Sequence, residues 1–117
     1  MPGSPMREYV PKKEIRVSSH ASERIKGRMG IKRSAAHRIA MIAWDKGLTH
    51  KECTGPLEDL VTAMFSKSQT ANNIRVYAQK VFLFAHETLI TVIPLEHKYH
   101  RLADKLLKRK HGKTEGA

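Results

Sequence analysis

Cysteine, aromatic residues and long apolar runs are all scarce in this chain of 117 residues. The single cysteine, Cys53, excludes an internal disulfide and fits a reducing compartment. No apolar run approaches the roughly 20 residues that span a bilayer. The first five residues, Met1-Pro2-Gly3-Ser4-Pro5, lack the basic-then-apolar order of a secretory signal. These absences predict a cytoplasmic protein.

Acidic residues are also few, so the chain carries a large positive charge. Lys and Arg number 22 against 11 Asp and Glu, which gives a net charge of +11 with neutral histidines. Hydrophobic residues make up 40% of the chain, which is enough for a globular core and excludes a wholly disordered protein. A small domain this basic is typical of nucleic-acid or anionic-membrane partners, and a merely solvated surface is the alternative. We favour nucleic acid.

The length of the chain predicts one domain with two flanking segments. Residues 1–13 contain three prolines and the pair Lys12-Lys13, which is typical of a flexible basic arm. Residues 14–110 are expected to form a single α+β domain. Residues 111–117 are expected to be a disordered tail.

Capping residues and apolar spacing predict three helices in the first half of the domain. The first is capped by Ser18 or Ser19 and ends at Gly30. The second is capped by Ser34, runs over about 35–46 and stops at Gly47. The third begins at Pro56, and its apolar residues follow the helical repeat: Leu57, Leu60, Val61, Met64 and Phe65.

Three segments rich in β-branched and aromatic residues follow, at 74–78, 81–85 and 89–93. The links between them are too short for a parallel crossover, so they predict an antiparallel meander. Residues 14–17 alternate and predict a short edge strand, and an apolar stripe from Tyr99 predicts a last helix with a cationic side. The expected fold is therefore α+β: N-terminal helices packed on a three- to four-stranded antiparallel meander, followed by a basic C-terminal helix.

One helical face in the first helix carries a titratable and cationic line. His20, Arg24 and Arg28 are four residues apart and therefore stack, while Ala21, Ile25 and Met29 form a parallel apolar line. An imidazole beside two permanent cations suits an anionic partner, and the imidazole could also move a proton. The alternative is a surface histidine beside solvated arginines.

Metal-free RNA cleavage needs a base, an acid and cations that stabilise the phosphorane. His20 is a candidate base or acid, and Arg24 and Arg28 are candidate phosphate clamps. Arg75 shares a strand face with Tyr77, and Thr91 on the neighbouring strand could add a hydroxyl donor.

Other side chains invite alternative hypotheses that we disfavour. His50 with Cys53, and His97 with His100, have ligand spacing, but no zinc signature accompanies them, so no metal or other cofactor is expected. Aromatic residues on the second long strand could stack on bases, although a buried position in the core is the favoured interpretation for both: Phe82 and Phe84. The C-terminal helix could lie on a membrane, but a phosphate-binding role explains its cations more economically.

These elements together resemble the RelE-type toxins and the wider barnase–EndoU–colicin–RelE group of metal-independent ribonucleases. The resemblance covers roughly residues 14–95 and is carried by the helix ending at Gly47 and by the following residues: His20, Ala21, Arg24, Arg28, Ile74-Arg75-Val76-Tyr77 and Leu89-Ile90-Thr91-Val92. It implies helices packed on a twisted antiparallel sheet and cleavage of RNA to a cyclic phosphate. It also implies catalytic roles for five residues: His20, Arg24, Arg28, Arg75 and Thr91.

The expected function is RNA-directed, as a metal-independent endoribonuclease of toxin-like or phage origin. The alternative is a non-catalytic module that binds nucleic acid or a ribonucleoprotein, such as a phage-encoded inhibitor or regulator of a host complex. The expected partners are RNA or a ribonucleoprotein such as the ribosome, or an acidic protein such as an antitoxin, and no membrane. Seven further residues are expected to contact nucleic acid: Lys26, Arg33, Tyr77, Lys105, Lys108, Arg109 and Lys110.

Overall fold

A four-stranded sheet lies between two layers of helices in the computed structural model, which describes residues 15–68 and 70–116. The predicted arm, residues 1–13, lies outside the described residues. In chain order the elements are β1 (Arg16–Val17), α1 (Ser19–Met29), α2 (Arg33–Lys46), α3 (Gly55–Lys67), β2 (Asn73–Tyr77), β3 (Lys80–Ala85), β4 (Thr88–Pro94) and α4 (His100–Gly116). The α+β prediction, with its C-terminal helix, is confirmed.

The sheet has the order β1-β4-β3-β2 and is mixed. The meander of β2, β3 and β4 is antiparallel, as its short links require. β1 pairs in parallel with β4, where Arg16 faces Thr88 and Val17 faces Leu89, so the prediction of a purely antiparallel sheet is wrong. Three α-helices and two strands lie between β1 and β4 in the chain, which gives the long connection that a parallel pair needs.

Helix α1 begins and ends as its sequence predicts. The Ser18 hydroxyl accepts a hydrogen bond from the Ala21 amide at 3.0 Å, which satisfies one of the free donors of the first turn. Gly30 closes the helix with a φ of 67°, a conformation that glycine adopts without steric cost. Ala21 and Ile25 are fully buried beneath the helix.

Helix α2 differs from its prediction at its start and ends where the sequence predicts. It begins at Arg33 after Lys32 with no side-chain cap, so the predicted cap at Ser34 is wrong. Gly47 ends the helix, but its φ of −73° is a backbone conformation that any residue can adopt. The need for glycine is steric, because a Cβ atom at position 47 would lie 2.7 Å from the Ala43 carbonyl oxygen and 3.1 Å from the Val76 carbonyl oxygen.

Helices α3 and α4 cover the other face of the sheet. Leu57 and Val61 of α3 and Ala103 and Leu106 of α4 pack against β2 and β3. α4 continues to Gly116, so the structure places residues 111–116, the expected disordered tail, in a helix.

Each face of the sheet carries its own apolar core. Phe82 and Phe84 are fully buried under α1 and α2, which confirms that they are core residues. Within the described ranges, none of the helices combines the length and the apolar character needed to cross a bilayer. The sheet therefore separates two helical layers, and a side chain on one face of the sheet cannot contact the helices on the other face.

Candidate functional site

Two members of the predicted line, His20 and Arg24, lie on the outer side of α1. Ala21 and Ile25 bury the inner side, and the one-residue offset turns His20 to solvent and leaves Arg24 half-buried. The Arg28 side chain lies outside the described residues. The structure thus leaves His20 and Arg24 accessible to a partner.

The Arg75 guanidinium donates hydrogen bonds to two backbone carbonyl oxygens of the protein. Its Nε donates to the Trp44 carbonyl oxygen at 2.8 Å, and its Nη1 donates to the Ile74 carbonyl oxygen at 2.9 Å. The guanidinium lies 4.5 Å from the centre of the Trp44 ring. Burial lowers the pKa of Arg75, and the Glu52 carboxylate partly offsets that effect. These contacts join β2 to the end of α2, which is a structural role.

Thr91 lies on the opposite face of the sheet from Arg75. Arg75 pairs with Phe82 on the face covered by α1 and α2, whereas Thr91 pairs with Leu83 on the face covered by α3. A β-bulge between Leu83 and Phe84 causes this, because the extra β4 residue reverses the alternation that follows Leu89. The sheet therefore stands between Thr91 and α1, and the five expected catalytic residues do not form one site.

The seven residues expected to contact nucleic acid also differ in exposure and in location. Lys26 on α1 is exposed, as are three cations on α4: Lys105, Lys108 and Arg109. Tyr77 is half-buried and packs against the core under α1 and α2. The Arg33 side chain lies outside the described residues.

Lys110 is held at the C-terminal end of α2. Its Nζ donates to the Gly47 carbonyl oxygen and to Glu52 Oε1, both at 2.8 Å. The His111 ring lies 2.8 Å from the Lys46 carbonyl oxygen. Carbonyl groups at a helix C-terminus lack helical partners and carry partial negative charge, so these contacts stabilise the end of α2. They also bring the basic end of α4 next to α2.

The Glu52 contact predicts an acid-sensitive stability. Burial alone would raise the pKa of Glu52, but hydrogen bonds from Lys110 and Thr49 outweigh it and lower the pKa. The Glu52 contacts therefore stabilise the folded state at a pH above the ordinary carboxyl pKa. This stabilisation is lost as the pH falls through the lowered pKa of Glu52. We expect Glu52→Gln to reduce stability at pH 7 by roughly 0.5–1 kcal/mol and to flatten the loss between about pH 5 and 3, as measured by urea unfolding. An unchanged acid profile would contradict this assignment.

The histidine and cysteine pairs with ligand spacing have other contacts. His50 Nε2 lies 2.7 Å from the Thr62 hydroxyl, and His100 Nε2 lies 2.7 Å from the Leu95 carbonyl oxygen. Burial, together with Glu52 and Glu58, raises the pKa of the Cys53 thiol to about 11. Among the described residues, no three His, Cys, Asp or Glu side chains group closely enough to hold a metal ion.

A polar groove between α1 and α2 is a feature that sequence reasoning missed. Its first part is a cavity of about 230 Å³ lined by Val17, Ser18, Ser19, Ser22 and His37. Its second part, of about 340 Å³, is lined by Ser22, Glu23, Lys26 and Lys32. We call the first part the serine groove. Three serines within five residues are visible in the sequence, but only the packing of α2 against α1 makes them line a cavity.

The positive charge is concentrated in two segments: the one that forms this groove, and residues 100–117, which contain six Lys or Arg and two Asp or Glu. Residues 16–46, which we call the basic helix layer, contain eight Lys or Arg and two Asp or Glu. Residues 47–99 contain five of each and are neutral overall. The uneven distribution of charge could have been found from the sequence by counting charged residues segment by segment.

Comparisons with known protein families, with curated proteins and with solved structures each find no match for this chain. The resemblance to the RelE-type group therefore stays a prediction.

Proposed function

We propose that this protein binds RNA through the basic helix layer and does not cleave it. The observation that carries the proposal is the charge excess of residues 16–46 around an open polar groove. Clustered cations neutralise backbone phosphates and release counterions, which drives sequence-independent binding. The proposal includes a cytoplasmic location, in keeping with the single free Cys53.

The setting of the two helices favours a flexible single strand as the ligand. α1 packs on β4, and α2 packs on β1 and β2, so both helices lie along the sheet. Reading a DNA major groove calls for a helix that enters it, whereas a single strand can follow a flat cationic surface. The exposed cations of α4 extend this surface, because Lys110 and His111 join α4 to the end of α2.

Binding without cleavage is supported by the separation of the expected catalytic residues. Arg75 is engaged by Trp44, and Thr91 faces α3 across the sheet. A base, an acid and a phosphate clamp have to converge on one phosphate. His20 and Arg24 alone supply two of those groups on an open helix face.

A triple variant that removes two lysines and one arginine tests the binding surface. We expect the combination Lys26→Ala, Lys32→Ala and Arg38→Ala to weaken binding of a single-stranded 12-nucleotide RNA about tenfold or more. The slope of log affinity against log salt should become shallower by about 2, since each lost contact removes about 0.7. The matched control is Lys51→Ala, Lys67→Ala and Lys98→Ala, which removes the same charge from exposed positions in the neutral segment. Equal losses in both variants would show that only net charge matters and would refute the proposed surface.

Incubation of the labelled RNA with protein in EDTA separates binding from cleavage. The proposal predicts that the wild type and His20→Ala leave the RNA intact and bind it with the same salt dependence. Cleavage by the wild type that His20→Ala abolishes would overturn the proposal in favour of an endoribonuclease. A 12-base-pair DNA duplex in the same assay should bind more weakly than the single strand.

A further inference from the structure

We infer that a separate cavity, near the C-terminal end of α2, holds one unstacked base of the bound RNA, an assignment that rests on the proposed function. The cavity has a volume of about 320 Å³, close to the lower limit for ligand pockets. It lies between the 3₁₀ turn at His50–Glu52, the end of α3 and the start of β2. We call it the edge pocket, and four of its lining residues carry the argument: His50, Phe65, Asn73 and Ile74.

Two aromatic rings form one wall of the edge pocket. His50 and Phe65 are both half-buried, and their ring centres lie 6.0 Å apart at an angle of 54°. The His50 ring is positioned by its Nε2, which lies 2.7 Å from the Thr62 hydroxyl. Phe65 packs on the core under α3 and α4 and also lines the pocket, so its ring is held in place with part of its surface open. Rings of this kind are the surfaces on which RNA-binding proteins stack unpaired bases.

The opposite wall offers hydrogen-bonding groups at the edge of β2. The Val76 amide and carbonyl both bond to Leu48 at 2.9 Å, but the pairing stops there because the chain enters the 3₁₀ turn. Backbone groups alternate in direction along a strand, so the Ile74 amide points to the same side as the Val76 amide and faces the pocket. Asn73 adds a carboxamide, which can donate and accept hydrogen bonds at once. Such groups recognise the polar edge of a base.

The position of the edge pocket connects it to the basic helix layer. Thr49 lines the pocket and follows shortly after α2 ends at Lys46. Arg75, which also lines it, donates from Nε to the carbonyl oxygen of Trp44 in α2. An RNA strand whose phosphates follow α2 can therefore place a base in the pocket without leaving the protein surface.

The charges near the edge pocket are compatible with a nucleotide. No described acidic residue lines it. Glu52, which ends the 3₁₀ turn, has its carboxylate paired with Lys110 Nζ at 2.8 Å. Lys51 also borders the pocket, but stacking and edge recognition do not use its charge, so we assign it no contact with the base.

Two matched pairs of probes test this inference. The first pair is the 12-nucleotide RNA and an abasic ribose-phosphate strand of the same length and charge. We expect the wild type to bind the RNA about tenfold more tightly, since stacking of one base contributes a free energy of this order. The second pair is adenosine monophosphate and ribose 5-phosphate. Adenosine monophosphate alone should shift the NMR signals of the Phe65 ring and the Ile74 amide.

Phe65→Leu and Asn73→Ala separate base recognition from folding. Leucine keeps an apolar side chain on the core but removes the flat ring, and alanine removes the carboxamide. Phe65→Leu should weaken RNA binding about tenfold, Asn73→Ala should weaken it less, and neither should change the affinity for the abasic strand. Phe65→Tyr, which retains the ring, is the matched control and should bind RNA as the wild type does. A misfolded variant would lose affinity for both strands.

The outcomes distinguish the inference from the function beneath it. Equal affinity of the wild type for both strands, with no effect of Phe65→Leu or Asn73→Ala, would overturn the edge pocket and leave binding through the basic helix layer intact. Shifts with adenosine monophosphate but no binding of the RNA would support the pocket as a nucleobase site and refute the proposed function. No response to any of the probes would refute both.

Discussion

Replacing Phe84 by alanine is expected to lower the free energy of unfolding by about 3–5 kcal/mol. Phe84 is fully buried, and its ring meets the Trp44 ring edge-to-face with centroids 4.9 Å apart. Truncation removes this contact and leaves a cavity between the sheet and α2. Urea unfolding followed by circular dichroism measures the change, which is a large part of the stability of a typical small domain.

Phe84→Leu is the matched control, because it conserves most of the volume and should cost less than about 1.5 kcal/mol. It also tests the disfavoured hypothesis that this ring stacks on RNA bases. A buried Phe84 predicts that folded Phe84→Leu binds the 12-nucleotide RNA as tightly as the wild type. A large loss of RNA affinity without a loss of stability would contradict the core assignment.

Replacing Gly47 by alanine is expected to destabilise the protein by about 3 kcal/mol, at the upper end of the range for overpacking. The added methyl group would meet the carbonyl oxygens of Ala43 and Val76 and the Cβ atom of Arg75 at 3.1 Å or less. Two of these atoms belong to the backbone and cannot rotate away. α2 would therefore have to move from β2, which would disturb the Leu48–Val76 pairing that follows. Thermal melting measures this loss.

Gly27→Ala provides the contrast, since a Cβ atom at position 27 meets no atom within 4 Å. This exposed position lies inside α1, where alanine is the better helix former by roughly 0.5–1 kcal/mol. The same substitution should therefore stabilise the protein at one glycine and destabilise it at the other. A Gly47→Ala variant as stable as the wild type would show that α2 and β2 are not in close contact.

Local signals predicted most of the elements. Ser18 and Gly30 bound α1 because capping depends on side chains within one turn of the helix end. The meander followed from links that are too short for any other pairing. The partner of β1 could not be predicted, since two residues of strand carry no signal that selects a neighbour 72 positions away.

The candidate site was predicted only in part, for the same reason. The outward orientation of His20 followed from the apolar residues beside it on α1. The position of Thr91 depends on one extra residue in β4, and alternation along the strand gives the opposite face when that residue is not known. The role of Lys110 depends on contacts with Gly47 and Glu52, which lie far away in the sequence. A cation count cannot distinguish such a residue from a free surface lysine.

The parallel pairing of β1 with β4 has a consequence for the order in which the chain folds. Each hairpin of the meander is closed by a two-residue turn, whereas the pairing of Arg16 with Thr88 closes a loop of about 70 residues. Closing so long a segment costs more conformational entropy and is slower. Because α1 packs on β4, its apolar side stays uncovered on the ribosome until β4 has emerged. The basic helix layer is therefore synthesised before the meander and completes its folding after it.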